Sequence, residues 1–317
     1  MIMAPPNPHG IRAPRISSEV ATYLIGELSG LASAGAWALV STVMRSMSNR
    51  MDPVMVNGLR CGYAAVAMVI LIAALGRADA LRTLPLQGVA LIVISGLVGQ
   101  GMGDAIFVVS MKSIGAARAM PISSTQPLLT MTLAVIFLGE RVTLLAVVGA
   151  LLVLLGVYLL AFPYGPLSQV TRLFASADRR GVALALGAAG CWAVSAISLK
   201  TALGSVDVMS TNLIRMIVAA VLLFAFEALV NRKKAFEGMD RRGLAIMGLA
   251  GLLGTASSMG YVTAVSYAGA AKAAVLASTS PFFGLPLSLF VLHEKVNRRI
   301  LVGSLLCVAG IWLVLLG

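Results

Sequence analysis

The sequence predicts an all-α integral membrane protein, with ten transmembrane helices that form two inverted five-helix repeats. The first observation is the composition: 59% of the residues are hydrophobic and only 11% are charged, whereas a soluble domain is about half apolar and about a quarter charged. The second is a series of apolar runs long enough to cross a bilayer. The third is an internal repeat. Together they exclude a soluble enzyme, a disordered protein and a secreted disulfide scaffold.

Ten apolar runs, separated by charged or turn-forming residues, have lengths suited to a hydrocarbon layer of about 30 Å. Residues 1–19 precede them, and because this segment is rich in Pro and polar residues we expect a disordered tail and no cleaved signal. The predicted spans are 22–45, 53–75, 86–110, 117–138, 143–162, 181–203, 208–230, 243–266, 271–292 and 297–316.

The repeat relates residues that lie about 155 positions apart. The matching pairs are Trp37 and Trp192, Arg45 and Lys200, Asp52 and Asp207, Asn57 and Asn212, Arg60 and Arg215, Pro127 and Pro281, and Glu140 and Glu294. We therefore divide the chain into a first repeat, 20–162, a linker, 163–180, and a second repeat, 181–317. Because each repeat has an odd number of helices, the second inserts antiparallel to the first. Such inverted repeats are typical of alternating-access transporters, which bind substrate near the midplane between the repeats.

The first helix of each repeat carries a tryptophan, Trp37 or Trp192, about ten residues from its start. This depth is too great for an interfacial aromatic belt. Each indole either packs between helices or forms a wall of the substrate path, where it can stack on an aromatic or cationic ligand.

The second helix of each repeat contains an Asn-x-x-Arg sequence, Asn57 with Arg60 and Asn212 with Arg215. Three-residue spacing places each pair on one helical face. Their duplication favours a structural role, tying helices together through bonds to carbonyls, over binding of a substrate carboxylate. Asp52 precedes the first of these helices as a predicted N-cap, and its counterpart does the same in the second repeat.

The third span carries Asp104, the carboxylate nearest the middle of a predicted helix, after the glycine-rich segment 99–103. A charge inside a membrane is costly and needs a reason. Asp104 either binds a substrate amine or a coupling proton, or it pairs with an arginine or bonds to neighbouring helices. Its counterpart in the second repeat is Ser258, so any acidic site is asymmetric. Gln100 and Tyr261 are weaker cavity candidates.

The fourth and ninth spans contain matching segments, 123–127 and 277–281, that end in Pro127 and Pro281. A proline within a helix cannot donate to the carbonyl four residues earlier. Either these kinks and their neighbouring hydroxyl groups line a midplane cavity, which we favour, or they only serve packing. Glu27, Glu140 and Glu294 are expected to serve helix N-termini and loops.

The fifth helix of each repeat carries two glycines seven residues apart, Gly149 with Gly156 and Gly303 with Gly310. Small residues on one face favour close helix packing, within the chain or across a homodimer. The three cysteines, Cys61, Cys191 and Cys307, are interpreted as small buried hydrophobic residues, not as a disulfide or metal set.

The two repeats share longer matching segments. The first helices read AGAWALVSTVMR and AGCWAVSAISLK, and the fourth-to-fifth segments include IFLGERVTLLAVVGA and LFVLHEKVNRRILVG. These segments resemble the EamA-type ten-helix branch of the drug/metabolite transporter superfamily over nearly the whole chain. The resemblance implies two inverted EamA units, cytoplasmic termini and carriage of metabolites, often export of amino acids. His293, where the first repeat has Gly139, departs from the pattern and affects the turn geometry of that loop.

The charge distribution points to a membrane partner. The net charge of +12 arises from Lys and Arg that lie mostly in the connectors between spans, where they bind headgroups; no pattern indicates nucleic-acid binding. The opposite loops carry more Lys and Arg than those on the side of the termini, so the positive-inside rule places the termini outside. This disagrees with the orientation that the resemblance implies.

We predict a secondary active or facilitative transporter, and we favour an amino-acid or metabolite exporter of a bacterial-type inner membrane. One repeat would rock against the other, with protons as one candidate coupling ion. The alternatives are uptake of a sugar or nucleotide-type solute and, from another class, a non-transporting partner-binding or sensory protein. We expect no enzyme activity, cofactor or metal. The candidate substrate-binding residues are Trp37, Gln100, Asp104, Ser123, Ser124, Gln126, Trp192, Ser258, Tyr261, Ser278 and Ser280.

Overall fold

The computed structural model describes residues 15–115, 119, 122–161, 179–230, 240–280, 282–283 and 298–317. These residues are helical, with short connectors and no strand among them. The helices are α1 (Arg15–Met47), α2 (Pro53–Ala74), α3 (Leu86–Ile114), α4 (Gln126–Leu138), α5 (Leu144–Ala161), α6 (Arg179–Ala202), α7 (Val208–Val230), α8 (Arg241–Ala268), α9 (Ala270–Ala277) and α10 (Arg298–Leu316). A single turn of 3₁₀ helix, Ala78–Arg82, lies between α2 and α3.

Six of these helices, α1, α2, α3, α6, α7 and α8, are long and apolar enough to cross a membrane, and three shorter apolar helices accompany them. Large apolar side chains also cover the outside of the protein: Ile70, Phe137 and Leu229 are 62%, 70% and 72% exposed. An exposed apolar surface of this kind suits contact with lipid. The chain is therefore a multi-pass membrane protein, while the number of ten spans and their inverted orientation stay predictions.

Several sequence predictions concern residues outside the described part of the chain. These are residues 1–14 of the predicted tail, most of the linker, His293, Glu294 and the kink residue Pro281. The end of the predicted tail differs from the structure, because α1 already begins at Arg15.

The helices of the two repeats interlock. α1 packs along α8, and α6 packs along α3; α2 packs on α7 and α5 on α10. The smaller contacts follow the same rule, since α4 touches α6 and α9 touches α1. The pairing is symmetric between the repeats. Replacing each helix by its equivalent in the other repeat, such as α1 by α6 and α8 by α3, gives the same set of contacts. The repeats are therefore not separate bodies, because each contributes helices to the other's packing.

Glycines bring α5 and α10 together within the chain. A Cβ atom at Gly149 would lie 2.7 Å from the carbonyl oxygen of Gly310, and one at Gly156 would lie 2.6 Å from that of Gly303. Separations this short leave room only for glycine. The predicted close-packing face thus serves an intramolecular contact in this structure.

The second helix of each repeat begins at an aspartate cap, as predicted. Asp52 Oδ1 accepts from the backbone N–H of Val54 at 2.8 Å, and Asp207 Oδ1 accepts from the N–H groups of Met209 and Ser210 at 3.0 and 3.2 Å. Partial burial raises the pKa of Asp207, but these hydrogen bonds outweigh it and hold the pKa below its usual value.

Candidate functional site

A cavity of about 130 Å³ lies between the two repeats. One water molecule needs roughly 10–15 Å³ of such space, so the cavity has room for a small solute. Helices α1, α2, α3, α4, α6, α7, α8 and α9 contribute to its wall, together with the residues just before α4 and just after α9. The lining residues are Ser33, Ala34, Trp37, Arg60, Gly99, Gln100, Asp104, Phe107, Ser123, Ser124, Gln126, Trp192, Ser195, Arg215, Gly254, Ser257, Ser258, Tyr261, Ala277, Ser278 and Ser280.

Asp104 is the centre of a buried polar network on one side of this cavity. Its Oδ2 atom accepts from Arg60 Nη2 at 2.5 Å, and its Oδ1 atom accepts from the indole Nε1 of Trp192 at 2.8 Å. The side chains of Arg60 and Asp104 are 1% and 6% exposed. The carboxylate is therefore paired, which is one of the two roles that the sequence left open for it.

Asn57 completes this network from the same helix as Arg60. Its Oδ1 atom accepts from Arg60 Nε and Nη2 at 3.0 and 2.8 Å, and its Nδ2 group donates to the carbonyl oxygen of Gln100 at 2.8 Å. Among the described residues, Arg60 thus binds the side chains of Asn57, Asp104 and, at 3.4 Å, Cys61, not the backbone carbonyls that its duplication suggested. The bond to a carbonyl is made by Asn57 instead.

A wide helical turn in α3 allows the hydrogen bond from Asn57 to the carbonyl oxygen of Gln100. Residues Gly96–Gly103 form a π-helical segment, and the N–H of Asp104 bonds to the carbonyl oxygens of Gly99 and Gly101. The carbonyl of Gln100, which an α-helix would bond to that N–H, is therefore open to Asn57. Segments of this kind occur frequently at functional sites.

The glycines of the same segment let neighbouring helices approach. A Cβ atom at Gly103 would lie 3.0 Å from Nε1 of Trp192, and one at Gly96 would lie 3.0 Å from Cα of Arg215. A Cβ atom at Gly99 would lie 2.7 Å from Cβ of Ser195. The glycine-rich sequence therefore admits α6 and α7, and through them it positions Trp192 and Arg215.

The equivalent network in the second repeat is different. Ser258 donates to Asn212 Oδ1 and accepts from Gln100 Nε2, the latter at 2.9 Å. Arg215, the counterpart of Arg60, is 3% exposed, and its Nη2 group lies 3.4 Å from Ser195 Oγ. Its Nε and Nη1 groups have no hydrogen-bond partner within the described residues. One buried arginine of the cavity is thus neutralised and the other is not.

Aromatic rings form the remaining wall. The guanidinium of Arg60 lies 5.4 Å from the ring centre of Trp37, which is cation–π geometry. Trp192 meets Phe107 edge to face, with ring centres 5.1 Å apart. Both tryptophans therefore pack between helices and also line the cavity, while their stacking on a solute stays a prediction.

The helix next to Pro127 is interrupted, not merely kinked. The chain turns at Ser124 and Thr125, α4 begins at Gln126, and Pro127 occupies its first turn, where no N–H is needed. Thr125 Oγ1 donates to the carbonyl of Ile122 at 2.8 Å. The hydroxyl group thus gives a hydrogen bond to the carbonyl of Ile122, one of the carbonyl groups at the end of the interrupted helix.

The second repeat breaks in the same way before Pro281. Thr279 Oγ1 donates to the carbonyl of Leu276 at 2.6 Å, as Thr125 does to Ile122. Ser278 Oγ donates to the carbonyl of Val275 at 2.7 Å. The two breaks present Ser123, Ser124, Gln126, Ser278 and Ser280 to the cavity.

All eleven candidate substrate-binding residues line this cavity, as do Arg60 and Arg215, which were expected to be structural. Asn57 and Asn212 lie behind them. Sequence reasoning missed Ser33, Phe107, Ser195, Gly254 and Ser257 as lining residues. For two of them a signal existed: Phe107 and Ser195 follow Asp104 and Trp192 by three residues, about one helical turn. Ser33 and Ser257 gave no signal, because small polar residues are common in membrane helices.

The predicted loop role of Glu140 agrees with the structure. Its two carboxylate oxygens accept from the N–H groups of Ala270 and Ala271 at 2.9 and 3.2 Å, at the start of α9. Gly269 precedes them with a φ of +90°, a conformation that favours glycine. The Oε1 atom of Glu27 lies 3.8 Å from Nζ of Lys272.

Comparison with known proteins gives three findings. The model of the EamA-like transporter family matches residues 24–162 and again residues 179–316. An uncharacterized transporter of Archaeoglobus fulgidus is 26% identical over 294 residues, covering 91% of this chain and 97% of the relative. A solved crystal structure matches with a TM-score of 0.70 at 18% identity, covering 93% of this chain and 96% of that one. At this identity the structural match concerns the fold alone.

Proposed function

Since this chain belongs to the EamA-like transporter family, and so is a membrane transporter of the drug/metabolite type, we propose that it exports small metabolites by alternating access. The observation that supports this proposal is the cavity between the repeats, which is lined by polar side chains from both of them. A carrier needs such a site, with polar groups from both repeats, shielded from lipid. The proposed location is the cell inner membrane.

The proposed substrate is an amino acid or a related metabolite. The cavity combines hydroxyl groups and two side-chain amides with aromatic walls, which suits a small solute with polar groups on an apolar body. Within the described residues, no group of His, Cys, Asp and Glu is arranged to hold a metal ion.

The proposed motion follows the interlocked packing. α1, α8 and α9 contact one another, and α6 contacts both α3 and α4, while contacts between these two groups are sparser. We therefore replace rocking of whole repeats with rocking of the first group against the second. Protons or another ion gradient would drive the motion, or a solute would be exchanged.

Efflux from proteoliposomes tests this proposal. Vesicles preloaded with a mixed pool of amino acids and metabolites, with and without a pH gradient, should lose one solute class selectively. The direction of the pH effect separates export from uptake. Loss of nothing from folded protein would contradict the carrier function and favour a non-transporting role.

Two Gly→Leu substitutions, one inside the cavity and one outside it, test whether the solute passes through the cavity. Gly254 lines the cavity, and a Cβ atom there would lie 3.4 Å from Cγ of Arg60. Gly190 on α6 has no atom within 4 Å of such a Cβ. We expect Gly254→Leu to abolish efflux and Gly190→Leu to retain it. Equal efflux from both variants would show that solute does not pass through this cavity.

A further inference from the structure

Three charged side chains, Arg60, Asp104 and Arg215, are found among the residues that line the cavity in the described part of the chain. Arg60 and Asp104 form an ion pair at 2.5 Å and neutralise each other. Arg215 contributes the remaining charge. The cavity wall therefore has a net charge of about +1 by this residue count.

The guanidinium of Arg215 has N–H donors without an acceptor among the described residues. It is buried, its Nη2 group is 3.4 Å from Ser195 Oγ, and its Nε and Nη1 groups have no partner among the described residues. An unpaired buried charge is costly. A guanidinium has two edges that bind carboxylates, Nε with Nη2 and Nη1 with Nη2. Because the contact to Ser195 uses one N–H of Nη2, one complete edge of Arg215 is free to bind a carboxylate.

The comparison between repeats shows why the described part of the chain supplies no such partner. The carboxylate that pairs with Arg60 is Asp104, and the equivalent residue in the second repeat is Ser258. Asn212 does not replace it, because its Oδ1 atom accepts from Ser258. In the first repeat, by contrast, Asn57 Oδ1 binds Arg60. The second repeat thus keeps the arginine, but it has a serine in place of the carboxylate and its asparagine oxygen is bound to that serine.

We propose that Arg215 binds the carboxylate of the transported solute, and that this solute has a net charge of −1. The inference rests on the proposed carrier function and names its substrate class. A monoanion balances the single uncompensated charge, whereas a zwitterion leaves that charge in place and a dianion reverses it. The class is therefore that of monocarboxylates without a compensating ammonium group, so of the two substrates proposed above this inference keeps the related metabolite and excludes the zwitterionic amino acid.

Binding to the purified full-length protein in detergent tests this without requiring transport. The probes are acetate, lactate and benzoate, each compared with its own amide, and alanine as the zwitterionic analogue of lactate. Thermal stabilisation and the fluorescence of Trp37 and Trp192, in a Trp312→Phe background, report occupancy. We expect carboxylates to bind at least about tenfold more tightly than their amides, and lactate more tightly than alanine.

Three substitutions assign the effect to Arg215. Arg215→Gln should remove the preference for carboxylates. Ser258→Asp places in the second repeat the carboxylate that the first repeat has, so it should abolish carboxylate binding without loss of fold. Ser258→Asn, of the same size as Ser258→Asp and without its charge, measures the effect of side-chain size alone, so carboxylate binding should fall much less in Ser258→Asn than in Ser258→Asp. Ser258→Asp gives the buried charge of Arg215 a partner, so this variant should fold. It therefore tests the proposal even if the Arg215→Gln variant does not fold.

The opposing outcomes are equally definite. Amides that bind as well as carboxylates, alanine that binds as well as lactate, or carboxylate binding that survives Ser258→Asp would each overturn the inference. So would the absence of carboxylate binding to folded wild-type protein. Carboxylate binding without efflux from proteoliposomes would instead uphold the site and contradict the proposed carrier function.

Discussion

At the scale of single residues, the two repeats differ most at their matching arginines. Arg60 and Arg215 both lie in α-helices within an apolar protein, and both are almost completely buried. Arg60 has a carboxylate, an amide oxygen and an aromatic face as partners. Among the described residues, Arg215 has one long contact to a serine. Asp104 is consequently a partner of Arg60 first, and any contact between Asp104 and a solute depends on that pair.

Asp104→Asn should destabilise the protein by leaving Arg60 without a counter-charge. Removing one member of a buried ion pair costs about 3–5 kcal/mol, whereas replacing both members together is far less costly. We expect a large fall in the melting temperature of Asp104→Asn in detergent, and recovery of a good part of it in the double variant Arg60→Gln/Asp104→Asn. Additive losses in the double variant would show that the two residues stabilise the fold independently.

At the scale of elements, α3 positions the cavity residues because part of it is not an α-helix. The π-helical segment Gly96–Gly103 opens the carbonyl of Gln100 to Asn57, and its glycines admit α6 and α7. The breaks before Pro127 and Pro281 act similarly on the opposite side, since each presents hydroxyl groups to the cavity. Irregular backbone inside a membrane protein is tolerated where it lines such a cavity.

Gly99→Ala should displace α6 from α3. The new Cβ atom would lie 2.7 Å from Cβ of Ser195, closer than real Cβ contacts allow. Overpacking of this kind typically costs about 1–3 kcal/mol. We expect a melting temperature lower by several degrees, together with weaker binding at Arg215, whose Nη2 atom lies 3.8 Å from the same position.

Gly190→Ala is the matched control for this prediction. It replaces a helical glycine that has open space around it, so higher helix propensity should leave stability unchanged or slightly raised. A similar loss of stability in both variants would mean that glycine, and not the approach of α6, is required.

At the scale of the whole molecule, the repeats are interleaved. Two serine pairs connect them: Ser33 and Ser257 hydrogen-bond to each other's carbonyl groups between α1 and α8. Ser95 and Ser195 do the same between α3 and α6. Each pair joins a helix of one repeat to a helix of the other. Rigid motion of whole repeats would break both connections, whereas motion of the two mixed groups would preserve them.

A cross-link between Ser95→Cys and Ser195→Cys distinguishes these motions. Their Oγ atoms lie 2.8 Å apart, so the two thiols should oxidise to a disulfide in a background without the three native cysteines. We expect the oxidised protein to retain efflux, because α3 and α6 belong to the same moving group. Efflux that stops on oxidation and returns on reduction would instead support rocking of whole repeats.

Much of this protein could be predicted from the order of its residues alone. Membrane insertion follows from apolar runs, the division into two matching halves from a period of about 155 residues, and the helix starts from Asp52 and Asp207. All eleven predicted binding residues also line one cavity, because a polar side chain in an apolar span is costly and is retained where other polar groups surround it.

The partners of those residues could not be predicted in the same way. Arg60 and Arg215 sit in the same local sequence, Asn-x-x-Arg, yet Asp104 lies 2.5 Å from the first and Ser258 stands in the equivalent place near the second repeat's asparagine. The π-helical turn at Gly96–Gly103 and the serine pairs between repeats likewise depend on helices far apart in the chain. A hydrogen bond or an ion pair forms between atoms within about 3 Å of each other, and only the packing of α2, α3, α6, α7 and α8 sets those separations.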